Sequence, residues 1–419
     1  MSNNKNKNPG VDDVYNYPLL EALTRRRSRR IGYGFQVPWG ALEFKSQKEP
    51  VPLNSQETAL LCYAGAGMTG FTEAGDIGVG YAQNVTNYGR AYPSACNSQK
   101  TYLLYSDDDG VYIYRPRPPK KIVAIESVED LYELLGDFDK DVIKIQDGRL
   151  QMPVAARPLI SPNIYSANQP GQTVFITIAD TTYELINMFF LWVQYEGNYL
   201  YDDIAKRPAG DPKWIDKLGL KTRLPLSGAE DFLRNMHAEE SGFITQNILL
   251  MSEALGLGAW PFAGFNNIIL LGGSPFAKGL DFRFISDKKG NLNPVGINGI
   301  LEGHCPPYHK DMDSAVDVLV EAKFGPGGFY DPNRKTSAFK DQASVVRKVK
   351  KMSDDQIQCV KDWCNYLYDN YGRFPVTLDT MMPFLCVGVT HLDLDFYDKY
   401  YKPEMCGKTI KNHMDKWHS

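Results

Sequence analysis

No apolar run in this chain is long enough to cross a bilayer as a helix, so no membrane partner is expected. Basic charge is not in excess: 46 Lys and Arg face 50 Asp and Glu, a formal net charge of −4. A chain without a positive field is not expected to bind nucleic acid. Cysteine is scarce, with seven in 419 residues, an odd number and no CxxC pair. That argues against a disulfide framework and fits reduced thiols in a cytoplasmic protein. The opening MSNNKNKNPG is polar and lacks the apolar core of a secretory signal, and residues 1–16 are expected to form a disordered tail. No internal repeat is visible.

What is present is the composition of a globular protein with a large core, 43% hydrophobic and 23% charged. Its 25 tyrosines suit apolar surfaces that still hydrogen-bond, such as binding pockets and subunit interfaces. Residues 241–265, SGFITQNILLMSEALGLGAWPFAGF, organise the rest. Ile244, Ile248, Met251 and Leu255 recur at helical spacing, while Phe243, Leu250, Ala254 and Leu257 fill a second face. A helix apolar on most sides is buried in a core or between subunits. Gly256 and Gly258 are expected to end it, leading into an apolar loop with Ala263 and Gly264 at its centre. Backbone amides in such a loop are open to close approach by a flat ligand.

Two further stretches carry chemistry. Residues 25–30, RRRSRR, hold five arginines in six positions. Such a run is a solvated face, or it clamps an anion: guanidinium groups grip phosphate bidentately and a neighbouring hydroxyl adds a donor. Further on, PSACNSQ precedes an alternating segment, Thr101 to Tyr105, which SDDDG turns back into Val111 to Tyr114. Asn and Ser in that turn offer donors and an acceptor to a ring with carbonyls and ring nitrogens, and a plain polar turn has the same composition.

In that chain order, the three stretches resemble the signatures of the nitroreductase superfamily of FMN-dependent oxidoreductases. The resemblance implies an α+β nitroreductase-like fold, with a mixed sheet flanked by helices around a long central helix. It implies Arg26, Arg27, Ser28 and Arg30 at the FMN phosphate and ribityl chain, with Arg25 and Arg29 leaving the register open by one. It implies Pro93, Ser94, Ala95 and Asn97 reaching the flavin of the other subunit of a homodimer. Ala263 and Gly264 would present their amides to the reactive flavin edge. The layout before PSACNSQ looks closer to the azoline-oxidising dehydrogenases of peptide natural-product pathways than to compact nitroreductases. Many members carry Glu where this chain has Ala263, and that Glu helps place nicotinamide, so NAD(P)H use is an open expectation. Three functions follow: flavin-mediated hydride transfer to or from a small organic or peptide substrate, a broad NAD(P)H-dependent nitro or quinone reductase, or a non-catalytic binding or scaffold protein.

The domain expected from this match covers residues 17–275, with an insertion near 115–172, followed by a C-terminal helical extension, 276–419, packing on the core. Within the first part, residues 11–31, 55–70, 128–135 and 182–194 read as helices. TVFITIAD at 173–180 and NIILL at 267–271 read as strands. Lys323, Arg334 and Lys335 are candidates for the late basic residue that the family places near its cofactor. No metal site is expected, although EGHCPPYHKDMD gathers His304, Cys305, His309, Asp311 and Asp313, because its spacing matches no zinc pattern. A loop over the flavin is the alternative. Ser353 and the two aspartates after it cap a helix over 357–368. His391, Asp393 and Asp395 share one side if extended, as a carboxylate–histidine site or a hydrogen-bonded edge. The tail CGKTIKNHMDKWHS reads as peripheral.

Overall fold

A computed structural model of the chain describes residues 8–73, 80–152 and 159–419. The first seven residues of the expected tail and part of the proline-rich stretch before Ile160 lie outside the described residues. The class is α+β. Six strands form the main sheet: β1 (Thr101–Ser106), β2 (Gly110–Tyr114), β3 (Val142–Asp147), β4 (Thr173–Asp180), β5 (Gly258–Phe262) and β6 (Met381–Thr390). They lie in the order β5-β6-β4-β1-β2-β3. Every pairing in this sheet is antiparallel. The mixed sheet expected from the resemblance is therefore corrected. Among the described strands, parallel pairing occurs in a small separate sheet, where Thr222–Pro225 runs beside Asn198–Asp202.

Alternation sends the two sides of each strand to two different cores. Phe175, Leu103, Tyr105, Val387 and Val389 join one cluster with Leu60, Leu61, Ile244 and Ile248. Val174, Ile176, Ile178, Leu104 and Cys386 join another with Leu270, Leu271, Leu280 and Leu301. The first face is covered by helices α3 (Ser55–Ala66), α4 (Val128–Gly136) and α6 (Leu226–Leu255). At one end, α5 (Thr181–Leu191), α7 (Met312–Phe324) and α8 (Asp354–Tyr371) pack into a third core around Phe189, Leu319 and Trp363.

The long helix is longer than its apolar stretch suggested. It starts after Pro225, and its buried positions step through Leu226, Ala229, Leu233, His237, Ser241, Ile244 and Ile248 at helical intervals. Gly256 ends it in the left-handed conformation, φ 88°, as expected. Gly258 instead opens β5, so residues 258–262 are a strand rather than a loop. Phe232 and Phe243 are 49% and 44% exposed, which leaves two apolar positions of the helix unburied in the single chain.

Other expectations change with local chemistry. Residues 9–15 of the supposed tail form α1 (Pro9–Tyr15), capped by Asn8. Pro18 then interrupts the helical pattern and starts α2 (Leu19–Arg25), whose Leu19 and Leu20 face outward at 67% and 72% exposure. NIILL is a helical turn, not a strand, because the Asn266 side chain accepts from Ile269 N–H and Gly272 closes the turn with positive φ. The two-part division fails at β6: residues 381–390 lie between β5 and β4, so the C-terminal segment completes the sheet instead of packing upon it.

A chain ending at Asp379 is expected to lose cooperative thermal unfolding and near-UV circular dichroism, because β5 then has no strand neighbour. Cooperative melting of the truncated chain at the full-length temperature would show β6 to be dispensable.

Candidate functional site

The arginine run leaves α2 in extended conformation and lies along the start of β5. Ser28 bridges Ala259 in parallel fashion, and Arg29 N–H donates to the Ala259 carbonyl at 3.1 Å. On its other side, Gly32 bridges Leu392 just after β6. Main-chain pairing thus brings the first and third sequence signatures together. Arg29 turns inward. Its guanidinium meets Glu253 of α6 at 2.8 Å, with the two side chains 6% and 3% exposed, and donates to the Met405 carbonyl at 2.7 Å. Arg30 lies over the Trp260 ring at 4.3 Å, a cation–π contact. Arg27 and Ser28 are exposed and Arg26 is half-buried. Arg27 caps its own turn by donating to the Thr24 and Arg26 carbonyls.

A cavity of about 230 Å³ opens beside this segment, bounded by Arg27, Ser28, Arg30, Tyr165, Tyr397 and Tyr401. That is below the roughly 300–1,000 Å³ of pockets that enclose a drug-sized ligand. Tyr397 holds the wall in place, its hydroxyl accepting from Arg30 and Ile31 N–H. Two of these tyrosines belong to the C-terminal extension, which sequence reasoning did not connect to the site.

Ala263 follows β5 and is exposed. Among the described residues, neither the Ala263 nor the Gly264 N–H has a hydrogen-bond acceptor. The face of Gly264 itself is occupied. A Cβ there would lie 2.5 Å from Ile160 and 2.9 Å from the Asn163 amide, and Ile160 N–H donates to the Gly264 carbonyl at 3.0 Å. Glycine here makes room for a neighbouring segment of the same chain.

The second signature lies elsewhere. Ser94 donates to Glu240 of α6, while Arg29 pairs with Glu253 further along the same helix, about 20 Å away on its axis. Asn97 donates to the Thr86 and Tyr88 carbonyls, so its amide is committed to holding the turn. Pro93 and Ala95 remain exposed. Cys96, Asn97 and Gln99 all have φ near +53°, a conformation costly for residues with a Cβ. Within one chain this turn and the arginine segment do not meet.

Beneath the turn is a buried polar cluster that the sequence did not reveal. Glu240 accepts from Ser94 and Thr101 and faces His237 Nδ1 at 3.2 Å. Burial alone would raise the Glu240 carboxyl, but hydrogen bonds from His237, Ser94 and Thr101 hold it below its ordinary value. Glu184 of α5 is fully buried, and desolvation pushes its carboxyl up to about 7 against the hydrogen bond from Asn187. Two of the expected late basic residues adjoin this region rather than the arginine run. Lys323 donates to the Ala82 and Gln83 carbonyls, and Arg334 to Asn87. The only available signal was charge at buried spacing: His237, Glu240 and Glu253 fall on the buried face of an otherwise apolar helix.

Residues 302–313 are used structurally. His304 Nε2 faces the Ala315 carbonyl at 2.6 Å, and Asp311 caps α7. The His391–Asp393–Asp395 edge does not act as one site. Asp393 takes Lys48 and Ser46 and caps the helix that follows, while His391 turns inward.

No protein-family model matches this chain, and no curated protein matches its sequence. Among solved structures it is similar to that of a Ralstonia eutropha jmp134 protein provisionally assigned as a nitroreductase. The likeness has 12% identity and a TM-score of 0.28, over 64% of this chain and 76% of that one. A likeness this slight carries no weight for function.

Arg29→Ala strands Glu253 without a partner in the core and is expected to cost about 3–5 kcal/mol in urea unfolding. A loss under 1 kcal/mol (roughly the worth of an exposed pair) would mean the pair is solvated. Glu184 has a folded pKa above its unfolded value. The stability it contributes is therefore present below about pH 4.5 and lost as pH rises through about 7. Glu184→Gln should flatten the decline in unfolding free energy across that window; an unchanged slope would show that Glu184 is ionised throughout.

Proposed function

We propose that the chain is an FMN-dependent oxidoreductase of the nitroreductase kind, transferring hydride to or from a small organic or peptide substrate. The observation that carries this reading is the pairing of Ser28 with Ala259, which sets exposed basic donors beside the strand that leads to Ala263 and Gly264. The donor set suits the group. Arg26, Arg27 and Ser28 would hold the phosphate and ribityl chain, and Arg30 is already fixed over Trp260. The Ala263 and Gly264 amides, without acceptors among the described residues, would bind the ring edge where charge changes on reduction. The flavin, when bound, supplies the redox chemistry. The chain's own residues bind it, orient it and screen it from water.

The cavity in one chain is too small for the whole cofactor, which supports a homodimer. A second copy would bring its exposed Pro93 and Ala95 to the flavin, from a strained turn far from its own arginines. Leu19, Leu20, Leu23 and Phe243, all exposed, give apolar surface for that contact. Ala263 in place of the family's Glu favours a dedicated dehydrogenase with another donor over a broad NAD(P)H-dependent reductase. Nothing among the described residues singles out the azoline-oxidising branch. A non-catalytic role is favoured by one contact, Ile160 seated on Gly264.

The purified protein should show a bound-flavin visible spectrum, or acquire one with added FMN. Arg26→Ala combined with Arg27→Ala should remove it while leaving the melting temperature unchanged. A colourless wild type that takes up no FMN would overturn the reading and leave the non-catalytic role. Anaerobic NADH or NADPH then divides the enzymes: bleaching marks a nicotinamide-driven reductase, and a persistent yellow colour marks another donor.

A further inference from the structure

Glu57 of α3, His391 after β6, and His413 and His418 at the C-terminus meet at one point. One ligand atom from each lies within 4.8 Å of all the others. Glu57, His391 and His413 are 0%, 1% and 3% exposed, while the His418 side chain is 18% exposed and opens the cluster to solvent.

The ring orientations are fixed from outside. His391 Nδ1–H donates to the Val51 carbonyl at 2.9 Å, and His413 Nδ1–H to the Leu255 carbonyl at 2.8 Å. A carbonyl only accepts, so Nδ1 carries the proton in each ring and the neutral ring's lone pair is on Nε2. Those lone pairs point inward. His391 Nε2 lies 3.4 Å from Glu57 Oε1 and 3.0 Å from His418 Nε2. His413 Nε2 lies 2.9 Å from Glu57 Oε1, yet it is buried and not aligned for a hydrogen bond. His418 Nε2 lies 3.2 Å from both carboxylate oxygens. Glu57 Oε1 and the Nε2 lone pairs of His391 and His413 face one another in a buried space and need positive charge between them, from an ion or from a proton on His418.

Their spacing fits a single cation. An ion held tetrahedrally by nitrogen and oxygen at about 2.0–2.1 Å spaces its ligands about 3.3 Å apart. The ligand-atom separations just given run from 2.9 to 3.4 Å. The outer contacts are also those of a metal site, with two rings donating their other N–H to carbonyls and Glu57 Oε2 accepting from Asn54 N–H at 2.7 Å.

We propose that Glu57, His391, His413 and His418 bind one zinc ion in a closed structural site. Four protein ligands leave no open position for substrate, which sets this site apart from catalytic zinc centres. The ion ties the chain's last residues to α3 and to the end of α6. Leu255, held by His413, directly precedes the Gly256 turn into β5, so the metal braces the strand that leads to Ala263. The short-range signal was His413 and His418, an H-x4-H pair within the spacing of zinc histidines. The other two ligands are too distant in sequence to be joined to it by pattern. The expectation of no metal weighed only residues 302–313, a stretch that holds none of these four side chains.

The test is metal analysis by mass spectrometry of the full chain, expressed without a histidine tag and dialysed against metal-free buffer. An equimolar amount of zinc is expected. Stripping with a chelator should lower the melting temperature and added zinc should restore it. Cobalt(II) in its place should give the visible absorption of tetrahedral coordination. His418→Ala, at the exposed side, and Glu57→Gln, near-isosteric, should each lose the metal. A wild-type protein that neither holds nor takes up zinc, or a folded His418→Ala that keeps it in equimolar amount, would overturn the proposal. In the first case the cluster shares protons instead.

Discussion

The ladder that β6 makes on both of its edges is the constraint on which the candidate sites depend. Among the described residues β5 has no other strand neighbour, and β5 carries the backbone from Gly256 to Ala263. Phe262 pairs with Cys386 and Gly258 with Thr390, while Val387 on the same strand pairs with Phe175. Amide groups in this interior have no water to turn to, so leaving them unpaired costs far more than one hydrogen bond contributes net. The same ladder positions Leu392, which bridges Gly32 and fixes the far end of the arginine segment. A feature at residues 26–30 therefore exists only once residues 381–392 have returned across the fold. Pairings this distant in sequence also delay folding, because loop closure must precede contact.

Helix α6 is the second organising element, and it acts through charge. Its buried face carries Glu230, Glu240 and Glu253, and each carboxylate holds a different segment. Glu230 accepts from Val376 and Thr377 N–H, Glu240 from Ser94 and Thr101, and Glu253 from Arg29. Buried charges of this kind add little net stability, because desolvation offsets most of the attraction. They exclude misplacement, since a segment shifted by one residue would leave a carboxylate unpaired. The helix thereby fixes the spacing between the arginine run and the strained turn at Pro93.

Much of the architecture was readable where local and tertiary preferences agree. TVFITIAD is β-branched and buried on both faces, and it is a strand over its whole length. The hairpin around SDDDG and the helix capped by Ser353 follow from turn and capping chemistry. β5 was not readable, because Gly258 and Pro261 have poor strand propensity and only the ladder with β6 makes them a strand. NIILL misled in the opposite direction, with strand-forming residues bent into a turn by Asn266 and Gly272. In the site, the sequence marked the arginines but not their division of labour. Arg29, left outside the matched set, is the one that burial commits to structure. His391 sits in an alternating edge with two aspartates, and nothing in that edge shows that its ring faces residues 22 and 27 positions downstream.

The C-terminal segment joins these levels. Tyr397 receives two N–H groups from the arginine segment, and Met405 receives Arg29. His413 takes the Leu255 carbonyl at the helix end. Close approach at these joints demands glycine: a Cβ on Gly32 would lie 2.7 Å from the His391 carbonyl, and one on Gly256 would lie 2.5 Å from the Thr409 carbonyl. The walls of the cavity beside Arg30 are therefore no firmer than the anchorage of the last thirty or so residues. A cation joining His413 and His418 to Glu57 acts on that anchorage directly. Its effect at the cavity needs no moving part between the two, because Leu255, Gly256 and β5 are continuous chain.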